Sequence, residues 1–416
     1  MKYTEAVRFV HSRLRFGSRL GLDNIKRITS LCGNPQKGMR FIHVAGTNGK
    51  GSISTMMSNV LISAGYRTGL YISPFVTDFR ERFQIDGEMI SKREFASIMG
   101  KIKPIIDELD SKGEYITEFE IITTAAFMWF KQRQCDYVVL EVGLGGRFDA
   151  TNVIDSPECA VIAHIDYDHM KYLGDSIDKI SFEKCGIIKP GCKVVAYPDQ
   201  HEAAMRVIEN TCKERGCSLT VPKVPDSQNS ISGNRFEYDG EDYTQRLIGK
   251  HQVLNAVTVI EAAKAIGIDS RFIREGVSVT SFPARLEVMS DDPLVILDGA
   301  HNPDGMSALA NAVKMLCTRK PTAIIGMLAD KDYDKALGTV APLFQHIVAV
   351  RVPNPRTLKA SELAQALKQH CSDVVTERSY DGAIKTAVEK SDGAPIIICG
   401  SLYLASGIRP HILKNL

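Results

Sequence analysis

Short apolar runs alternate with amphipathic stretches along nearly the whole chain, the pattern of strands and helices wound into a mostly parallel sheet. Phe41 to Ala45, Thr68 to Ile72, Tyr137 to Leu140, Cys159 to Ile165 and Lys193 to Tyr197 are compact, bounded by turn residues, and predicted as strands. Between them, Ile53, Met56, Met57, Val60, Leu61 and Ala64 recur at helical spacing, as do Phe95, Ile98, Met99, Ile102, Ile105, Ile106 and Leu109. Ser91-Lys92-Arg93-Glu94 is a capping box that opens the second of these helices. Around Asp239-Gly240 the texture changes to a hairpin, Phe236 to Tyr238 turning into Tyr243 to Ile248, followed by a helix from Val253 to Ala265. After Phe282-Pro283-Ala284-Arg285 the rhythm restarts with Leu294 to Leu297, Ala323 to Met327, His346 to Val350 and Ile396 to Cys399. The class is α/β, with a domain boundary expected near residue 285.

A chain of 416 residues is long enough for two or three compact units. Its 51 Lys and Arg against 49 Asp and Glu give no single-sign field, which argues against nucleic acid or anionic lipid as a partner and favours small molecules. The opening residues lack the features of a signal peptide, and no stretch reaches the roughly 20 apolar residues of a membrane span, so a soluble cytoplasmic protein is expected, with a monomer as the default. The 10 cysteines are scattered through apolar segments without any C-x-x-C pair and read as reduced thiols. Cys212 and Cys217, the nearest pair in sequence, have no partnering pair at zinc-finger spacing.

In an open parallel sheet ligands bind beyond the carboxyl ends of the strands, so the residues that follow each apolar run carry the chemistry. Here they are Gly46 to Ser52, then Ser73, Glu141, and Asp166, Asp168 and His169. In the second half they are Asp298, His301, Asp330-Lys331-Asp332, Arg351 and Gly400-Ser401. Two such rims predict a cleft between domains. In Gly46-Thr47-Asn48-Gly49-Lys50-Gly51-Ser52, the glycines let backbone N–H groups approach an anion, Lys50 adds a mobile positive charge, and a helix N-terminus follows. This is a phosphate cradle with a shorter spacing than the standard P-loop. Mg²⁺ on a nucleotide takes a few protein oxygens plus water and phosphate, and Ser73, Glu141 and His169 suit that role. Each also has a plain alternative: a turn cap, a solvated strand end, a satisfied loop histidine.

Taken in order, Ala45 to Ser52, Glu141-Val142-Gly143-Leu144-Gly145-Gly146-Arg147, Asp149-Ala150-Thr151-Asn152, Glu183-Lys184-Cys185-Gly186-Ile187-Ile188-Lys189-Pro190-Gly191, Asp298-Gly299-Ala300-His301-Asn302-Pro303 and Gly400-Ser401-Leu402-Tyr403 resemble the dihydrofolate synthase/folylpolyglutamate synthase family of the Mur ligase superfamily. The resemblance implies a P-loop-type, mostly parallel ATPase domain over residues 1–284 and a smaller Rossmann-like glutamate-binding domain over 285–416. It implies a ligase that joins L-glutamate to the carboxylate of dihydropteroate or of reduced folate (poly)glutamates, with ATP becoming ADP and phosphate, and bacterial members are often bifunctional. ATP would be held by Thr47, Asn48, Gly49, Lys50, Gly51 and Ser52 with Asn255, Arg285 and Asp298. The pteroate or folate would meet Thr117, Glu118, Phe119, Glu120, Phe148, Asp149 and Ala150, and the Leu22-Asp23 region. One Mg²⁺ would take Ser73, Glu141 and His169, and a second would take a carbamylated Lys184. Lys50, Lys184 and His301 are the residues assigned to catalysis. The departures are Phe75 for a usual His, Ala284 for a hinge Gly, and Ser406-Gly407 for Gly-Glu, none of which removes a phosphate or metal ligand.

Without the resemblance Lys184 reads as a solvent-facing lysine near the end of a helix that starts around Ser176, favoured there by the helix dipole. Thr117-Glu118-Phe119-Glu120 equally reads as a capping box, and Asp298 to Pro303 as a turn. The rival functions are a Mur ligase acting on a UDP-linked cell-wall substrate, disfavoured by the Gly-Lys-Gly-Ser loop, and a non-catalytic ATP-binding switch protein, disfavoured by ligand-bearing loops in both halves.

Overall fold

The computed structural model describes residues 1–17, 21–329 and 333–416; the expected site residues Asp330, Lys331 and Asp332 lie outside the described residues. The chain packs as two compact units, one of Met1–Phe75, Phe79–Val224 and Leu254–Val279, the other of Val76–Asp78, Pro225–Val253 and Thr280–Leu416.

In the first unit, β1 (Arg40–Ala45), β2 (Thr68–Tyr71), β3 (Phe83–Ile85), β4 (Glu88–Met89), β5 (Tyr137–Glu141), β6 (Cys159–Ile162), β7 (Lys193–Ala196) and β8 (Ser218–Thr220) form one sheet in the order β4-β3-β2-β5-β1-β6-β7-β8. All neighbours run parallel except β2 with β3 and β3 with β4. Burial on both faces explains why β1, β5 and β6 are apolar without alternation. After β1 the chain goes to one side of the sheet, and from β6 it goes to the other. The crevice of such a sheet therefore opens over the carboxyl end of β1, where the Gly-rich loop begins. Helices Lys92–Ser111 and Glu118–Gln132 seal one face over a core that includes Phe83, Phe95, Ile102, Phe127 and Phe130. Both begin at real caps: Ser91 Oγ accepts from Glu94 N, and Thr117 with Glu120 forms the full reciprocal box.

The second unit holds a small antiparallel sheet of β9 (Ser227–Ser230), β10 (Gly233–Tyr238) and β11 (Glu241–Gln245). Its larger sheet consists of β12 (Glu287–Asp291), β13 (Leu294–Leu297), β14 (Thr322–Ile325), β15 (His346–Ala349), β16 (Val374–Thr376) and β17 (Ile396–Cys399), ordered β12-β13-β17-β14-β15-β16. All of its pairs are parallel except β12 with β13. The α/β class and the mostly parallel sheets follow the apolar pattern. The predicted hairpin is present but gains a third, polar strand in β9, and the helix after it starts at Lys250. The expected strand from Cys159 to Ile165 stops at Ile162, because the His164 carbonyl turns away to accept from Thr47 N at 2.7 Å and Asn48 N at 3.3 Å. Every cysteine is a free thiol, and the pair closest to a bond is Cys192 with Cys217, whose Sγ atoms are 3.9 Å apart. Among the described residues no helix is long and apolar enough to cross a membrane.

Candidate active site

The loop after β1 is built by close backbone approach. A Cβ on Gly46 would stand 2.6 Å from Ala163 Cβ, and Gly49 lies at φ +86° with Asn255 Oδ1 2.6 Å from where its Cβ would be. Only glycine fits these two positions. Asn255, remote in sequence, is thereby set against the loop. Thr47 is tied down from both sides, its hydroxyl donating to Asp166 O at 2.9 Å while Asp166 N donates back at 3.1 Å. Lys50 Nζ donates to Gly46 O at 3.0 Å and Thr47 O at 3.1 Å, so its charge lies over the loop. Ser52 is buried in the first turn of helix Lys50–Ser63, whose leading N–H groups face the same loop. Gly46→Ala is expected to cost about 1–3 kcal/mol, because the contact it meets is backbone and Cβ rather than a flexible side-chain end. A lowered urea midpoint with an unchanged slope would show it.

Lys184 is the residue the structure changes most. It closes helix Ile177–Lys184, capped by Ser176 as expected, yet it is buried rather than solvent-facing, at 4 % exposure. Its Nζ donates to Gly46 O at 2.7 Å. Burial, with Lys50 as the next influence, brings this amine down to about 7, against weaker opposition from Asp168 and Cys185. Glu141 is likewise buried and accepts from the Ser73 backbone N–H at 2.9 Å, so the ends of the adjacent strands β2 and β5 bring these two residues together. His169 is exposed, in a left-handed turn at φ +51°, with Nε2 3.8 Å from Asp168 Oδ2. Among the described residues no three His, Cys, Asp or Glu side chains gather as a metal cluster. Ser73 and Glu141 offer hard oxygen donors and His169 an imidazole, a small set that suits Mg²⁺ shared with phosphate and water better than an all-protein cage.

The segments expected to meet the folate also lie in the first unit. Phe119 packs its ring over Gly143, where an added Cβ would lie 2.5 Å from Phe119 Cζ, and stands 6.0 Å from Tyr71. Glu118 Oε1 is 3.5 Å from His11 Nδ1, and Glu120 caps inward, accepting from Thr117 N and Oγ1 at 2.8 Å. Asp149 is turned into the protein, accepting from Leu144 N at 2.8 Å, Thr151 N at 3.0 Å and Thr151 Oγ1 at 2.6 Å. Its carboxylate therefore shapes the Gly143 to Gly146 loop, while burial raises its pKa against those bonds. Phe148 is exposed and Ala150 buried.

In the second unit, Asp298 is buried and fixes two turns, accepting from Leu286 N and Ala300 N at 2.8 Å each. Arg285 donates to Ala284 O at 3.1 Å and lies 5.4 Å from the Phe282 ring centre. His301 Nδ1 pairs with Gly299 O at 2.9 Å; a carbonyl only accepts, so Nδ1 carries a proton. Asn302 caps helix Pro303–Leu316 through Gly305 N.

Residues 44–263 match the Mur ligase middle domain and residues 284–402 the Mur ligase glutamate ligase domain. Over 99 % of both chains, the protein is 36 % identical to the folylpolyglutamate synthase of Lacticaseibacillus casei, and 35 % identical to the dihydrofolate synthase/folylpolyglutamate synthase of Bacillus subtilis. The chain belongs to the dihydrofolate synthase/folylpolyglutamate synthase family. Its fold superposes with a TM-score of 0.91 at 31 % identity, over 99 % of both chains, on Mycobacterium tuberculosis folylpolyglutamate synthase complexed with ADP and AMPPCP. As a member of this family it is an ATP-dependent ligase. One site neighbour in this synthase-family chain escaped the sequence reading. His43 is fully buried in β1 and pairs with Thr151 Oγ1 at 2.9 Å; burial drives it down to about 3, so it is neutral and supports the Thr151 to Asp149 link. A histidine inside an apolar strand gives no signal that separates it from ordinary core.

Proposed function

We propose that this enzyme activates the carboxylate of dihydropteroate, or the terminal carboxylate of a reduced folate (poly)glutamate, as an acyl phosphate and then joins it to L-glutamate. Both substrates are taken, so the enzyme is bifunctional. It works as a cytoplasmic monomer without nucleic acid or membrane partners, residues 1–284 handling ATP and folate and residues 285–416 glutamate. The observation that carries the reading is the buried Lys184 amine, 2.7 Å from the first carbonyl of the phosphate loop and brought down to about 7. A lysine whose neutral form is populated at ordinary pH, beside a phosphate site, takes up CO₂ to become an anionic oxygen ligand. Ser73, Glu141 and His169 would hold one Mg²⁺ and a Lys184 carbamate a second, and the bound ions would neutralise phosphate charge.

The substrate carboxylate oxygen attacks the γ-phosphorus as its bond to ADP breaks. Lys50, already over the loop, stabilises the charge of that transition state. The glutamate amine then attacks the acyl carbon, phosphate leaves and the amine sheds a proton. His301, its ring fixed by the Nδ1 contact with Gly299 O, serves the glutamate region. Thr117 to Glu120 and Phe148 to Ala150 hold the ring end of the folate, and Thr47 to Ser52 with Asn255 hold the phosphates of the nucleotide. The test is ADP release with dihydropteroate or with a reduced folate monoglutamate, each with and without L-glutamate. Glutamate-dependent turnover with both is expected. Glutamate-independent ADP release would overturn the ligase reading, and turnover with only one acceptor would overturn bifunctionality.

A further inference from the structure

A ligase whose product is its next substrate must hold acceptors of different lengths with both ends fixed. On the reading above, the ring end sits at residues 117–120 and 148–150, and the reacting carboxylate sits at the phosphate loop and Lys184. The units between these anchors have to bow outward as the chain grows. Each glutamate brings two carboxylates and uses one for the next bond, so every added unit leaves one more negative charge in that bow. The surface between the anchors therefore needs an exposed cation.

Arg147 occupies that place. Its N–H donates to Glu183 O at 2.7 Å, and an added Cβ on its neighbour Gly146 would come 2.7 Å from Lys184 O, so its backbone is fixed to the helix end that carries Lys184. Lys184 in turn reaches Gly46 O at 2.7 Å, and the folate segment starts with the next residue, Phe148. Arg147 thus joins the phosphate side to the ring side. Its guanidinium carbon lies 4.8 Å from the Phe148 ring centre and 4.9 Å from that of Phe182. These rings are 37 % and 52 % exposed, so they flank the guanidinium at the surface rather than in the core. Two aromatic contacts fix the guanidinium plane while its N–H edge stays in solvent, with the side chain 45 % exposed. Glu183 stands 3.9 Å from Nη1, the outer limit of an ion pair. A planar, pre-oriented fork matches a carboxylate.

We propose that Arg147, gripped by Phe148 and Phe182, binds the free carboxylates of the glutamate tail already on the substrate and so sets which chain lengths are extended. The experiment compares kcat/KM for one reduced folate carrying one glutamate and the same folate carrying four, in wild type, R147A and R147Q, at low and high salt. The tetraglutamate-to-monoglutamate ratio is expected to fall about tenfold in both variants, the loss of one charge-assisted contact. Salt is expected to lower the ratio in wild type and leave it unmoved in the variants. Equal losses for both substrates, or an unchanged ratio, would overturn the proposal. A wild type that turns over neither folate would instead overturn the functional reading on which it rests.

Discussion

Lys50→Ala is expected to lower kcat by a factor of about 10²–10³, the scale seen when one preorganised charge-stabilising group is removed from a transition state. Lys50 is held by two loop carbonyls, Gly46 O and Thr47 O, so its ammonium is confined to the phosphate cradle before any substrate arrives. Charge in phosphoryl transfer accumulates on the oxygens around the transferring group, and there is little covalent chemistry for the protein to perform. The loss should therefore fall on kcat more than on KM for ATP, because the backbone N–H groups of the loop and helix Lys50–Ser63 still bind the ground-state phosphates. Lys50→Arg should restore little. The planar fork is longer, and the space between the Gly46 and Thr47 carbonyls suits a compact point charge. Steady-state ADP release at saturating folate and glutamate measures both variants, and near-normal turnover of Lys50→Ala would remove Lys50 from the mechanism.

Much of this was legible in the chain because the information is local. Continuous apolar runs at β1, β5 and β17 announce strands buried on both faces, and the residues just beyond each had to lie along the rim of its own sheet. The spacing of Gly46, Gly49 and Lys50 announced a phosphate loop for the same reason. What sequence could not supply was burial and long-range approach. Lys184 at a helix end reads as solvated, and only the packing of that helix against Gly46 shows that it is not. Asp149 carries no mark of whether it faces a ligand or its own backbone, and the answer came from Leu144 and Thr151, which claim its oxygens. The polar strand β9 was missed because its residues, Ser227 to Ser230, are all polar and offer no apolar alternation.

Lys184→Ala is expected to abolish measurable ligation and to regain part of it in short-chain carboxylates such as acetate, which can enter the space the side chain leaves. The chemistry sets a second, independent signature. Carbamylation consumes the neutral amine and CO₂ and releases a proton, so it is favoured as pH rises. An ordinary lysine, ionising near 10.4, is almost wholly protonated at pH 7 and cannot react appreciably. Burial and Lys50 bring Lys184 down to about 7, so its neutral fraction passes through one half near neutrality instead of three units higher. Enzyme stripped of CO₂ at pH 6 should therefore lose activity, and bicarbonate should restore it more fully at pH 8 than at pH 6. Lys50→Ala shares the neighbourhood and removes the second cause of the shift, so it should raise the Lys184 pKa and move the bicarbonate requirement to higher pH. The residual activity of that variant suffices to read it. Full activity of Lys184→Ala without carboxylate, or recovery independent of pH in the wild type, would show that the buried amine acts as a plain hydrogen-bond donor to Gly46 and leaves the second cation without its ligand.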